Sequence, residues 1–340
     1  MKYKILGNTG LKVSELCLGT MTFGGKGYWT AIGQLPQEPV DEMVKRSIEA
    51  GINFIDTANV YSEGLSEEMT GKAIRNLGLK RDDLVIATKV RGKMGEGANN
   101  TGLTRKHIVQ QAEESLRRLN IDYIDLYQIH GYDPLTPLEE TLRALDDLVK
   151  SGKVRYIGCS NLAAWQLMKA LSYSTHKDIS KFVSLQAYYT IAGRDLEREL
   201  IPLLNDQKVG LMVWSPLAGG LLSGKYGRNV QGPEDSRRLN FDFPPVNKEK
   251  AFDIIDVMQS IAQEKGISVA QLAIAWLLHQ PAVTSVIIGA KKAEQLEDNL
   301  KAIDVMLTTD DLQRLDEVSK LEREYPGWML ERQGQDRKQE

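Results

Sequence analysis

Cysteine is scarce: the 340 residues hold two, Cys17 and Cys159, and no C-x-x-C. That excludes a disulfide framework and makes a reducing cytoplasm the expected compartment. Neither sign of charge dominates, with 43 Lys and Arg against 46 Asp and Glu for a net charge of −3. Such a balance gives no general attraction to nucleic acid or to an anionic membrane surface. No run approaches the roughly 18 apolar residues of a membrane span. The opening "MKYKILGNTGLKVSEL" has no apolar signal core. The four histidines, His107, His130, His176 and His279, are scattered and no H-E-x-x-H occurs, which speaks against zinc chemistry. G-x-G-x-x-G is missing too, which weakens a dinucleotide-binding Rossmann reading. No Pro- or Ser-rich linker divides the chain. A single domain over 1–340 is expected, with a core at about 3–320 and a tail at 321–340.

What is present is alternation. Eight short runs read as strands: "ELCLGT" (15–20), "NFIDT" (53–57), "LVIATKV" (84–90), "IDLYQIH" (124–130), "YIGCSN" (156–161), "VSLQAYY" (183–189), "GLMVWS" (210–215) and "SVIIGA" (285–290). Their apolar centres suit strands covered on both faces. Helical patterns fall at 40–50, 66–77, 104–119, 136–151, 162–173, 196–206, 248–265, 268–279, 291–302 and 309–321. Thr104 is a cap, and "TPLEE" predicts another at Thr136 with proline at the first helical position. The start, "KYKILGNTGLKVSE", reads as a hairpin around Asn8-Thr9-Gly10. Strand and helix alternating eight times predict parallel strands. The leading architecture is a (β/α)8 TIM barrel with an N-terminal β-hairpin and additional C-terminal helices; a doubly wound sheet is the alternative. The long stretch from Ala218 to Asn247 reads as a loop insertion of functional length.

In a barrel the carboxyl ends of the strands form the active face. Here those ends carry Gly19 and Thr20, Asp56, Lys89, His130, Ser160 and Asn161, Gln186, Trp214 and Ser215, and Gly289 and Ala290. Each has an ordinary reading alone: Asp56 as a helix cap, Tyr61 as a surface phenol, Lys89 as a solvated strand-end lysine, His130 as a packing histidine. Their joint arrangement on one face is what points to chemistry. A phenol has a pKa of about 10, too high for easy proton donation near neutrality. A nearby ammonium favours the phenolate. A carboxylate supplies the counter-charge that a partly buried lysine needs. A histidine close by can hydrogen-bond a substrate oxygen. The set suits protonation of an oxygen that turns negative as a carbonyl receives hydride. Side chains cannot supply hydride, so a nicotinamide is required.

At these residues the chain resembles the aldo-keto reductases. "FIDTANVYSEG", "VIATKV" and "DYIDLYQIHGYDPLTPLEETL" carry the resemblance, with "LGTMTFGG", "GKVRYIGCSN", "WSPLAGGLLSGKY" and "IIGAKKAEQLEDN", from about residue 3 to about residue 320. It implies reduction of an aldehyde or ketone to an alcohol by NADPH. It implies a catalytic tetrad of Asp56, Tyr61, Lys89 and His130, with Tyr61 as general acid. For NADP it implies Gly19, Thr20, Met21 and Asp56 near the first strands. Ser160, Asn161 and Gln186 would hold the carboxamide, and Trp214 would stack on the nicotinamide. Ser215, Pro216, Leu217, Ala218, Gly219 and Lys225 would fold over the pyrophosphate. Ile288, Gly289, Ala290, Lys291, Gln295, Asp298 and Asn299 would follow the last strand. Lys291 and Lys292 stand at an expected helix start, where N–H groups and the macrodipole suit a 2′-phosphate. Trp29, Tyr61 and His130 are the substrate candidates, for a small carbonyl compound. The alternative implied by the family is an NADPH-holding channel accessory subunit with little turnover. "GGLLSGKY" approaches a phosphate loop, but Tyr226 stands where a Mg²⁺-binding hydroxyl belongs.

Overall fold

The hairpin predicted at the start forms. β1 (Tyr3–Ile5) and β2 (Lys12–Ser14) pair antiparallel, with Tyr3 opposite Ser14. Between them Gly7 takes a left-handed φ of +57°, and a Cβ there would lie 2.1 Å from the Val183 carbonyl oxygen. Only glycine permits that approach. It lets Leu6 and Val13 plug the floor of the fold, beside Cys17, Phe54, Val85, Leu126 and Met212. The structure, a computed structural model, describes residues 1–230, 232, 238 and 241–335. Part of the insertion read at Ala218 to Asn247, and the end of the tail read at 321–340, lie outside the described residues.

Eight parallel strands close the barrel. They are β3 (Leu16–Gly19), β4 (Phe54–Asp56), β5 (Val85–Val90), β6 (Ile124–Ile129), β7 (Val154–Ser160), β8 (Phe182–Tyr188), β9 (Gly210–Trp214) and β10 (Val283–Ile288). Each pairs with the next, and β10 returns to β3, with Ile287 opposite Cys17. That last pairing excludes the doubly wound alternative. Helices α1 (Gln37–Glu49), α2 (Leu65–Asn76), α3 (Arg105–Leu119), α4 (Leu138–Lys150), α5 (Ala164–Lys177) and α6 (Leu200–Gln207) follow β3 to β8 in turn. Lys248–Lys265 and Val269–Leu278 separate β9 from β10, and Ala293–Leu300, Thr309–Ser319 and Gly327–Gly334 come last. No helix among the described residues is long and apolar enough to cross a membrane.

The caps explain where helices begin. Thr104 accepts from the His107 amide, and Ser268 from the Gln271 amide. Thr136 does not cap α4, which starts at Leu138 with Pro137 before it. Its hydroxyl is drawn instead to Asp133, 2.7 Å away, a loop carboxylate that also accepts from the Leu103 and Leu135 amides. The helix expected from Lys291 starts two residues later, because the Gln295 side chain accepts from the Lys291 amide at 3.0 Å.

Strand periodicity sets the inner face of the barrel. Phe54 and Asp56 share it on β4, Ala87 and Lys89 on β5, Leu126 and Gln128 on β6, Met212 and Trp214 on β9. The lower members are apolar and join the buried floor. The upper members are polar or aromatic: Asp56 and Trp214 reach the mouth, with Lys89 and Gln128 buried behind them.

Candidate active site

β4 ends at Asp56, yet the chain keeps bonding to β5: the Thr57 and Asn59 amides donate to the carbonyls of Ala87 and Lys89. A 3-10 turn, Tyr61–Gly64, then brings the Tyr61 phenol back over the mouth. Ser62, Glu63 and Gly64 in that turn all have left-handed backbone, with φ of 48°, 56° and 95°. For residues other than glycine this costs about 1–2 kcal/mol each. The loop that carries Phe23 holds the strain in place. The buried Ser62 hydroxyl donates to the Phe23 carbonyl at 3.0 Å and accepts from the Gly25 amide at 3.1 Å. Strain concentrated next to a reactive side chain is a pattern of functional sites.

Lys89 is fully buried and Asp56 is 2% exposed. The three protons of the ammonium meet three acceptors: Asp56 Oδ2 at 2.5 Å, the Thr57 carbonyl at 2.8 Å and Tyr61 Oη at 3.1 Å. Burial alone would depress the lysine; the Asp56 carboxylate and the Tyr61 phenol outweigh it and leave Lys89 above its usual range. A charged lysine therefore donates to the phenol oxygen inside the barrel. Asp56 Oδ1, in turn, accepts from Gln128 Nε2 and from Gln186 Nε2, each at 2.9 Å.

His130 follows β6 and faces Tyr61, ring centroids 5.7 Å apart and edge to face. Burial, with Lys89 and Arg91 nearby, pushes its imidazolium down to about 3. The ring is neutral at physiological pH, so it can donate a hydrogen bond without carrying charge. Trp29 meets the other side of the phenol at 5.1 Å.

These groups open on a cavity of ≈ 560 Å³ at the carboxyl ends of the strands. Asp56, Tyr61, His130 and Trp29 line it; Lys89 lies behind them. So do Gly19, Thr20 and Met21 after β3, Ser160 and Asn161 after β7, Gln186 and Trp214. Asn161 is fixed by three contacts: its Nδ2 donates to Ser160 Oγ at 2.9 Å and to the His130 carbonyl at 3.2 Å, and its Oδ1 accepts from the Trp214 indole at 3.0 Å. Ser215, Pro216 and Gly289 line both this cavity and a second of ≈ 390 Å³, so the two adjoin. The second carries Leu217, Gly219 and Lys225 on one wall. Ala290, Lys291, Lys292, Gln295, Asp298 and Asn299 form the other. Asp298 is held by Ser268 Oγ at 2.7 Å and Gln271 Nε2 at 2.6 Å.

Two of the expected cofactor residues are not among those lining either cavity. Ala218 is buried, its carbonyl accepting from the Arg238 guanidinium, and Ile288 is buried in the core between barrel and helices. Ile287 reaches the mouth in place of Ile288, because adjacent strand residues point to opposite faces. No sequence pattern singles out Gln128, Phe241 or Phe243, which the structure places at or just behind the site. Counting in twos back from His130 would have placed Gln128 on the inner face. Phe241 and Phe243 sit in a loop with no periodic signal, and Tyr28, beside Trp29, sits in a short 3-10 turn, Gly27–Ala31. Phe243 stacks on Trp214 at 5.8 Å and 7°, while Phe241 meets Tyr28 at 5.8 Å.

Comparison with known proteins identifies a family. The sequence model of the "Aldo/keto reductase family" matches residues 15–320. A versiconal hemiacetal acetate reductase of Aspergillus parasiticus is 35% identical over 345 residues, covering 96% of this chain and 99% of that protein. An uncharacterized oxidoreductase of Bacillus subtilis is 36% identical, covering 94% and 96%. A probable voltage-gated potassium channel subunit beta of Arabidopsis thaliana is 39% identical, also covering 94% and 96%.

Proposed function

This chain belongs to the aldo/keto reductase family, and we propose that it reduces an aldehyde or ketone to the alcohol with NADPH, Tyr61 acting as general acid. The observation that carries the proposal is the Lys89 ammonium, fully buried and donating to Tyr61 Oη at 3.1 Å. Burying an ion pair costs several kcal/mol in desolvation. A pair retained at the end of two strands, in contact with a phenol, serves the phenol more than the fold. Lys89 stabilises the phenolate left behind when Tyr61 gives its proton to the carbonyl oxygen. Asp56 keeps Lys89 charged and in place. The neutral His130 ring donates to the same carbonyl oxygen and orients it. Trp29 and Tyr61 close the site from water on one side.

NADPH, when bound, supplies the hydride. The two adjoining cavities suit it. Ser160, Asn161 and Gln186 offer amide and hydroxyl groups at the tetrad end. Lys225, Lys291 and Lys292 offer positive charge at the far end, where a 2′-phosphate would be neutralised. That favours NADPH over NADH. Tyr28, Trp29, Phe241 and Phe243 make the mouth aromatic, which fits an apolar or ring-bearing carbonyl substrate.

The 39% identity to a channel beta subunit supports a second reading, a cofactor-holding accessory subunit with little turnover. One assay separates the two. NADPH fluorescence titration gives binding, and absorbance at 340 nm gives consumption against a panel of aromatic and aliphatic aldehydes. Binding with steady, aldehyde-dependent consumption supports the reductase. Binding without consumption across the panel supports the accessory role and refutes the reductase.

A further inference from the structure

We propose that Gln128 is a positioning residue for the proton donor: it fixes the Asp56 carboxylate, and through it the Lys89 ammonium, in the place from which Lys89 stabilises the Tyr61 phenolate. This rests on the reading of Tyr61 as the acid. Gln128 lies near the carboxyl end of β6, two residues before His130, and is fully buried. A buried side-chain amide without partners costs about 1–3 kcal/mol, so glutamine there needs a reason. Its Nε2 donates to Asp56 Oδ1 at 2.9 Å, and its Oε1 accepts from Gln186 Nε2 at 3.3 Å. Gln186 Nε2 also reaches Asp56 Oδ1 at 2.9 Å. One carboxylate oxygen is thus clamped by two amides from β6 and β8, which aims the other at Lys89.

The neighbouring strand makes room for the clamp. Gly158 on β7 is the register partner of Gln128. A Cβ at Gly158 would lie 3.1 Å from Gln128 Cγ and 2.6 Å from Ser184 Oγ. Gln128 makes no contact with the mouth cavity, whose lining it does not join. Its influence on chemistry therefore passes through its partners Asp56 and Gln186, of which Asp56 is the one bonded to Lys89.

The groups that face Asp56 define what a change at Gln128 can do. They are the Lys89 ammonium from β5, the amides of Gln128 and Gln186, and the Cys17 thiol from β3, which burial and the Asp56 charge push well above its usual range. Tyr61 and His130 lie one step further, with Arg91 beside His130. Among these only Lys89 links Asp56 to Tyr61. Removing the Gln128 amide leaves Asp56 Oδ1 held by Gln186 alone, which loosens the aim of Oδ2 at Lys89 and weakens stabilisation of the phenolate.

Gln128→Met keeps the shape and removes the donor; Gln128→Glu keeps an acceptor and donates only when protonated. The phenol of Tyr61 is titrated in the cofactor-free protein by ultraviolet difference against Tyr61→Phe in the same background. The expected result is a midpoint at higher pH in Gln128→Met than in wild type. It should come with about a tenfold loss of kcat, and with KM and the NADPH dissociation constant within about twofold. In Gln128→Glu the midpoint should rise too, and kcat should recover at low pH as the new carboxyl protonates, a titration absent from Gln128→Met. An unchanged phenol midpoint in the variants overturns the proposal, even if kcat falls. If Gln128→Met fails to fold, the Gln128→Glu midpoint decides. A wild-type protein without turnover refutes the reductase reading, and the phenol titration still decides the role of Gln128.

Discussion

His130 gives a test with a worked magnitude. Burial, Lys89 and Arg91 push its imidazolium down to about 3 from the ordinary 6.5. In the unfolded chain the ring titrates near 6.5, so below that pH the unfolded state binds a proton that the folded state refuses. Stability from this ring is thus full above pH 6.5 and is lost as pH falls toward 3. Between pH 7 and pH 5 the unfolded ring gains RT ln(1 + 10^1.5) less RT ln(1 + 10^−0.5), about 2 kcal/mol. The folded ring contributes almost nothing over that interval because it stays neutral. The perturbation is His130→Gln, which removes the titration and keeps a polar side chain. Urea unfolding at pH 7 and pH 5 should show wild type losing about 2 kcal/mol more than the variant. Comparing the two proteins cancels the carboxylates and His107, which titrate in both. An equal loss in wild type and variant would mean that the folded ring accepts its proton in the ordinary range, and the neutral-donor role would fall.

Two further predictions concern the frame behind the site. Gly71 on α2 has no room for a methyl group, since a Cβ would lie 2.1 Å from the Leu119 carbonyl oxygen. Gly71→Ala should cost about 2 kcal/mol by denaturant unfolding despite its better helix propensity; a gain in stability would refute the packing. Arg118, 7% exposed at its side chain, pairs with the fully buried Glu67 at 2.6 Å. Arg118→Ala should cost about 3–5 kcal/mol by leaving that charge alone. Arg118→Met with Glu67→Leu should recover much of it, and no recovery would argue that the arginine's packing dominates.

How much of this was legible differs by kind of residue. The barrel was, because parallel strands covered on both faces leave short apolar runs at regular intervals, and helical patterns separate them. Asp56, Lys89 and His130 were legible because charge at the end of an apolar strand is conspicuous. Boundaries were less so. Thr136 reads as a cap until Asp133 competes for its hydroxyl, and Lys291 reads as a helix start until Gln295 occupies its amide. Gln128 was hidden by its neighbours: "DLYQIH" reads as a strand with a tolerated polar residue. Its partners Asp56 and Gln186 lie 72 and 58 positions away. The left-handed turn at Ser62 and Glu63 was hidden because neither residue is the glycine that such a backbone announces. Contacts made across the barrel leave no local pattern.

The central claim is that Tyr61 delivers the proton. Tyr61→Phe removes one oxygen from the buried Lys89 ammonium and leaves the lining of the cofactor cleft otherwise intact. The direct measurement is single-turnover oxidation of pre-bound NADPH with an aldehyde that wild type accepts, alongside fluorescence titration of NADPH binding to both proteins. The expected result is NADPH affinity within about twofold of wild type and a hydride-transfer rate lower by at least about a hundredfold, the scale of a lost general acid. A variant that binds NADPH normally and turns over at the wild-type rate would contradict the assignment.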